Sequence, residues 1–197
     1  MGAEQKIKLL EKTLVEIDIA LRFSEPVSSK DLNQLERLLQ EGIVPNDRVN
    51  KKMLYDFEYT LTHFQYIQFY APSEKALDRI QNQLKSFQRM LLNAFKPSYN
   101  PDATAKQLQQ WREIGFKSLY ENLDQAKELL NFLDSIAFQY QDEETLPRTT
   151  AFYIYDLLID FMNEDNIVEG MSKSTDLERS DIELFSNICV KIRNIFL

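Results

Sequence analysis

Glycine and proline are scarce in this chain of 197 residues, which contains four glycines and six prolines. These two residue types supply many of the turns that a sheet protein of this length needs. The four glycines, at positions 2, 42, 115 and 170, also lie too far apart to form a phosphate-binding loop, which requires closely spaced glycines before a helix. The composition therefore favours an all-α fold and argues against folds that bind ATP, GTP or dinucleotides.

Cysteine and histidine occur once each, as Cys189 and His63. A single cysteine excludes an internal disulfide, so we expect a reducing, cytoplasmic setting. Histidine-based zinc sites and the paired Glu-x-x-His motifs of di-iron bundles each need more than one histidine. A Cys–His catalytic dyad would require Cys189 to meet His63 across the fold, but Cys189 lies on the apolar stripe of the last predicted helix. We therefore predict no catalytic residue, no metal and no cofactor.

Long hydrophobic runs are also missing. The longest run without a charged residue, Tyr59 to Ser73, has 15 residues and includes threonine, histidine and glutamine. A membrane-spanning helix needs about 20 mostly apolar residues, and no basic residue followed by an apolar segment opens the chain in the manner of a signal peptide. We expect a soluble protein that does not enter a membrane.

Positive charge is in short supply in the second half of the chain. Residues 1–100 hold 14 basic and 13 acidic side chains, whereas residues 101–197 hold 9 basic and 18 acidic ones. Twelve of these acids lie between residues 142 and 183. A negative surface repels phosphate, which disfavours direct binding of nucleic acid and favours a basic protein partner. The alternative is that this charge only keeps the chain soluble.

Apolar residues recur at steps of three and four along nearly the whole chain, which predicts a bundle of about seven helices. Ser28, Ser73 and Asp102 are placed to cap helices. In the first helix Leu9, Val15 and Ile19 widen the apolar stripe, which predicts burial against more than one neighbour. The third and fourth helices are joined by few residues and should pack as an antiparallel hairpin. The predicted helices span about residues 4–23, 28–42, 46–70, 102–141, 147–163 and 175–196, and the fourth predicted helix begins at Ser73 and carries apolar residues as far as Ala94.

The stretch from Asp102 to Gln141 contains no proline, and its apolar positions lie on one side of a helix. As one unbroken helix it would be about 60 Å long and would form the centre of the bundle. The spacing is irregular at one point, where two steps of four residues follow each other at Trp111, Gly115 and Leu119. Because this spacing unwinds the seam locally and glycine destabilises a helix, the alternative is a break at Gly115 into helices of about 102–114 and 116–141. We predict a single domain, with a lobe boundary at residues 96–101 as the alternative.

The third predicted helix carries two aromatic or apolar faces. One consists of Met53, Leu54, Phe57, Leu61 and Phe64. The second, which we call the tyrosine stripe, consists of Tyr55, Tyr59, His63, Tyr66 and Tyr70. Such a helix either lies between two neighbours or shows one face to solvent, and exposed tyrosines are enriched at protein interfaces. The tyrosine stripe is therefore either core or a surface that binds a partner or ligand.

The helix of residues 147–163 carries acids at four-residue steps. Asp156, Asp160 and Glu164, with Asp165 next to them, form what we call the acidic stripe. Like charges at this spacing repel, so a basic partner or a cation would complement them. A magnesium ion uses carboxylates of this kind, generally with further ligands, and a solvated acidic face is the plainer interpretation. If the stripe is functional, we expect it to bind lysines or arginines of a partner.

These patterns favour a non-enzymatic protein-interaction module, such as an adaptor, a regulator or an inhibitor, that acts through its acidic C-terminal half and the tyrosine stripe. The first alternative is a helical bundle that binds a small ligand or lipid in an aromatic pocket lined by the third helix. The second is a carboxylate-dependent enzyme that uses Asp156, Asp160 and Glu164.

Overall fold

The computed structural model describes residues 3–23, 25, 28–40, 47–68, 71, 73–97, 101–163 and 179–197. This part of the chain forms eight α-helices and one two-stranded antiparallel ribbon, so the predicted all-α multi-helix bundle is confirmed. The elements are α1 (Ala3–Arg22), α2 (Ser29–Gln40), β1 (Arg48–Asn50), α3 (Lys51–Ile67), α4 (Glu74–Phe95), α5 (Ala103–Glu121), α6 (Leu123–Gln139), β2 (Thr145–Pro147), α7 (Arg148–Asn163) and α8 (Arg179–Phe196).

Three helices begin at the capping residues that the sequence predicts. The side chains of Ser73 and Asp102 each accept a hydrogen bond from the backbone N–H three residues later, at 3.3 and 2.8 Å. Ser28 accepts one from the N–H of Lys30 at 3.1 Å. Each such bond satisfies a backbone donor that the first turn of a helix leaves unpaired, which stabilises the helix by about 1 kcal/mol.

The segment of residues 102–141 is not one straight helix. Gly115 has φ 76° and ψ 159°, and it kinks α5 at the position where the sequence leaves a break open. A second interruption, which we did not predict, falls at Asn122, where α5 ends and the Asn122 side chain caps α6 by accepting the N–H of Gln125 at 3.2 Å. Leu123, directly after this second break, is 64% exposed, whereas Leu119 before it is fully buried.

The two short strands replace predicted helix starts. β1 pairs with β2 so that Val49 lies opposite Leu146, and both side chains are completely buried. Arg48 fixes the register by donating from Nε to the Thr145 hydroxyl and from Nη2 to the Thr145 carbonyl, both at 2.7 Å. The prediction of helix at residues 46–50 is therefore wrong for the strand residues 48–50, because pairing with β2 satisfies their backbone groups. The ribbon places the start of α3 beside Glu144 and Thr145, and the start of α7 beside Arg48.

Four helices meet in an aromatic cluster at the centre of the bundle. The Phe95 ring lies 6.0 Å from that of Phe57 and 5.6 Å from that of Tyr155, and the Tyr155 ring lies 5.9 Å from that of Phe196. These residues belong to α4, α3, α7 and α8. Tyr155 is fully buried, and its hydroxyl donates to the Leu54 carbonyl at 2.5 Å. The cluster joins helices from both halves of the sequence, and the lobe boundary at residues 96–101 stays a prediction.

Further contacts arrange the remaining helices around this cluster. The predicted packing of α3 against α4 is observed. In the second half of the chain α5 packs against α7, and α6 packs against α8. Helix α1 packs against α2 and α3, yet Val15 is 56% and Ile19 48% exposed. The predicted burial of these two side chains is wrong, because they lie about 200° around the helix from the fully buried Ile17. Within the described residues, no helix combines the length and the apolar character needed to span a membrane.

Candidate functional site

The described half of the acidic stripe contacts an arginine of the same chain. Arg112 on α5 places its Nε 2.9 Å from Asp156 Oδ2 and its Nη2 3.9 Å from Asp160 Oδ1. Burial raises the pKa of Asp156, the Arg112 charge lowers it, and the Asp160 charge raises it. The basic complement that we expected from a partner is therefore present within the fold. The other two members of the stripe, Glu164 and Asp165, lie outside the described residues.

The tyrosine stripe divides between core and surface. Tyr55 is half-buried and packs against the core, whereas Tyr59 is 44% exposed. The half-buried His63 ring lies beside Tyr59, with ring centroids 5.8 Å apart. Tyr66 belongs to α3, but its side chain lies outside the described part of the structure, as does the whole of Tyr70. The described members therefore do not line one common aromatic cavity, and Tyr59 is available for contact at the surface.

The turn of residues 141–144, between α6 and β2, is held by a buried lysine. Lys51 is only 4% exposed, and its Nζ donates to the Tyr140 carbonyl at 3.1 Å. Its backbone N–H donates to the Glu144 carbonyl at 2.9 Å. A cation at the C-terminal end of a helix satisfies carbonyls that lack an intrahelical partner and interacts favourably with the helix dipole. Lys51 thus fixes both ends of the turn against the start of α3.

A cleft of 530 Å³, which we call the turn cleft, opens beside this turn. Tyr55 of the tyrosine stripe lines it together with three consecutive acids of the turn, Asp142, Glu143 and Glu144. Two features that the sequence separates, the tyrosine stripe and the acidic half, therefore meet at one site. The full lining consists of Asn50, Lys51, Lys52, Tyr55, Gln141, Asp142, Glu143, Glu144, Phe196 and Leu197.

The charges of the turn cleft are unevenly balanced. Arg48 forms an ion pair with Glu143, and Lys52 lies 3.7 Å from Asp56 on its own helix. Asp142 and Glu144 are exposed and form no ion pair within the described residues. The turn therefore presents two carboxylates whose charge no described residue neutralises. We did not select these residues from the sequence, although the run of three acids before Thr145 is visible there.

An exposed aromatic side chain lies next to the turn. Phe138 occupies the last turn of α6 and is 72% exposed. The backbone N–H of Gln141 donates to the Phe138 carbonyl at 3.4 Å, which keeps the turn folded against this end of the helix. Exposed aromatic residues are enriched at surfaces that bind another protein, because the ring contributes buried area.

In a second polar arrangement, the fully buried Glu58 on α3 contacts Arg193 on α8, whose side chain is 31% exposed. Arg193 donates from Nε to Glu58 Oε2 at 2.6 Å and from Nη2 to the Thr62 hydroxyl at 2.9 Å. Glu58 is fully buried, and burial raises its pKa to about 6 against the lowering effect of Arg193. The signal in the sequence is the polar series at positions 58, 62 and 65, which follows helical spacing along α3.

Two further chemical features are the thiol of Cys189 and the grouping of side chains that can bind a metal ion. Cys189 is buried, and its pKa is raised by desolvation and by the nearby Glu58 charge, which disfavours the reactive thiolate. In the part of the chain that the structure describes, no three residues among the histidine, cysteine, aspartate and glutamate side chains are grouped to hold a metal ion.

Comparison of the chain with models of protein families, with curated proteins and with solved structures yields no match in any of the three. The arguments for function therefore rest on the geometry of the site.

Proposed function

We propose that this chain is a non-enzymatic protein-interaction module, an adaptor, a regulator or an inhibitor, that binds a basic segment of a partner protein at the turn cleft. The observation that carries the proposal is the meeting of Tyr55 with the uncompensated carboxylates of Asp142 and Glu144 in one cleft. Phe138, which does not line the cleft, exposes its ring at the end of α6.

The chemistry of the cleft specifies the kind of partner segment. Asp142 and Glu144 attract lysine or arginine side chains and accelerate the encounter with a basic surface, an effect that salt weakens. Tyr55 and Phe138 provide aromatic area against which an apolar side chain of the partner packs. The segment should therefore carry at least one lysine or arginine close to an aromatic or aliphatic residue. The same negative charge disfavours direct binding of nucleic acid.

The buried state of Cys189 supports a non-enzymatic role, since the one thiol of the chain lacks access to a substrate. A cytoplasmic location is part of the proposal, because a single reduced cysteine suits a reducing compartment.

Selection from a random peptide library displayed on phage, with the whole chain immobilised, tests the proposal. We expect the enriched peptides to combine lysine or arginine with a neighbouring apolar residue, and their affinity to fall as salt is raised. The double variant Asp142→Lys/Glu144→Lys should select peptides of the opposite charge. Glu121→Lys/Glu128→Lys is the matched control, because it makes the same charge change at exposed positions of α5 and α6.

Two results would contradict the proposal. One is a selection that enriches no common sequence. The other is an enriched set that stays the same in Asp142→Lys/Glu144→Lys, or that changes equally in the control variant, because the turn cleft would then not be the binding surface.

A further inference from the structure

A second cleft, of 540 Å³, lies between the end of α3, the outer part of α4 and the end of α7. We call it the amide cleft, because side-chain amides dominate its lining. Its polar lining residues include Gln68, Gln81, Lys85, Gln88, Arg89 and Asn163. None of these residues lines the turn cleft, so the amide cleft is an independent site.

Buried amides form the floor of this cleft. Gln88 is 3% exposed and donates from Nε2 to Asn163 Oδ1 at 3.2 Å, and Gln68 is 7% exposed and donates to Gln65 Oε1 at 3.0 Å. In both bonds the glutamine side chain acts as the donor. The side-chain oxygens of Gln68 and Gln88 accept no hydrogen bond within the described residues. Asn163 likewise keeps its NH₂ group available. The floor therefore offers both acceptors and a donor to a polar molecule.

Two cations border the cleft. Lys85 and Arg89 are exposed and are four residues apart on α4, which places them on the same face of the helix. Neither forms an ion pair within the described part of the chain, and the residues that line the cleft include no carboxylate. The lining thus carries two positive charges, and arginine and lysine are the side chains that proteins use most often to bind phosphate.

We propose that the amide cleft binds a small polar molecule that carries a phosphate monoester. A phosphate monoester has close to two negative charges at neutral pH, which matches Lys85 and Arg89. The volume of 540 Å³ falls within the range of about 300–1,000 Å³ that is typical of small-ligand pockets, and it leaves space for an organic body next to the phosphate. The amides of Gln68, Gln88 and Asn163 would bond to hydroxyl or amino groups of that body.

The side-chain amide resonances of Gln68, Gln88 and Asn163 provide a direct test in the whole chain. They are followed by NMR during titration with a panel of sugar phosphates and nucleoside monophosphates, with inorganic phosphate as the comparison. We expect at least one ester to shift all three resonances saturably and to bind at least 10-fold more tightly than inorganic phosphate. In Lys85→Gln/Arg89→Gln the affinity for that ester should fall at least 10-fold.

The matched control is Lys75→Gln/Lys96→Gln, which removes two exposed cations outside the cleft, one in the first turn of α4 and one at its C-terminal cap. It should leave the affinity unchanged. The proposal is overturned if no ester of the panel shifts the resonances, if inorganic phosphate binds as tightly as the best ester, or if the control variant loses as much affinity as Lys85→Gln/Arg89→Gln.

Discussion

Arg193 Nε lies 2.6 Å from Glu58 Oε2, so that an ion pair inside the core joins α8 to α3 across 135 positions of sequence. The carboxylate is fully buried, whereas the arginine side chain is 31% exposed. Glu58 Oε1 has no hydrogen-bond partner within the described residues, so Arg193 and its bond to Thr62 compensate the buried charge only in part. This relationship determines how the fold should respond to mutation and to pH.

Arg193→Met should lower the free energy of unfolding by about 3 kcal/mol, because it leaves Glu58 buried without its cation. Glu58→Leu/Arg193→Met should regain most of this loss, since an apolar pair needs no compensation for burial. Urea denaturation followed by circular dichroism measures both values.

Lys191→Met is the control for this prediction. Lys191 lies on the same helix, and its ion pair with Asp134 is close to the surface, so the loss should stay below about 1 kcal/mol. Equal losses of free energy of unfolding for Arg193→Met and Lys191→Met would contradict the prediction, because the Glu58–Arg193 pair would then contribute no more to stability than a surface ion pair.

The raised pKa of Glu58 predicts a pH dependence of stability. The pKa is about 6 in the folded chain and 4.5 as the ordinary value, so the folded state holds this proton more tightly than the unfolded state. The stability that the folded chain gains by holding this proton is fully present below pH 4.5 and is lost as the pH rises through 6. Above that value the ionised group costs about 2 kcal/mol.

Glu58→Gln isolates this effect from the other carboxylates, because glutamine does not titrate. Urea denaturation at pH 4.5 and at pH 7.5 gives the free energy of unfolding of Glu58→Gln and of the unmodified chain. The value for the variant minus the value for the unmodified chain should be about 2 kcal/mol larger at pH 7.5 than at pH 4.5. A difference that does not vary with pH would mean that Glu58 titrates normally in the fold.

The kink in α5 depends on glycine. Gly115 has φ 76° and ψ 159°, a conformation that a Cβ atom makes unfavourable by about 1–3 kcal/mol. Gly115→Ala should therefore destabilise the chain by that amount in thermal or urea unfolding, whereas Ser118→Ala, at an exposed helical position, should change stability by less than about 0.5 kcal/mol. If Gly115→Ala instead stabilises the chain, as alanine does within a regular helix, the kink is absent in solution.

The parts of the fold that were predictable are those that spacing along the sequence determines. Helical periodicity, together with caps such as Ser73 and Asp102, located the helices because each signal lies within a few residues of its effect. The ribbon was missed because its strands have three residues each and only one buried apolar residue apiece, Val49 and Leu146. Three residues are too few to display the alternation that identifies a strand.

The sites were less predictable, because they depend on which distant residues meet. The acids at positions 142–144 and Tyr55 were both noted as features of the sequence, but their meeting in the turn cleft depends on the pairing of β1 with β2. Glu58 could not be distinguished from an exposed helical acid without its partner Arg193.

Substitution of Arg112 tests whether a basic partner binds the acidic stripe or the turn cleft. Because Arg112 lowers the pKa of Asp156, Arg112→Gln should raise that pKa further in an NMR titration of side-chain carboxyls, whereas Arg89→Gln on α4 should leave it unchanged.

Arg112→Gln also leaves the negative charges of Asp156 and Asp160 without their arginine partner. If the stripe bound the partner, Arg112→Gln would strengthen binding of the selected basic peptides severalfold. Because we assign that binding to the turn cleft, we expect their affinity to stay within about twofold, a change of about 0.4 kcal/mol.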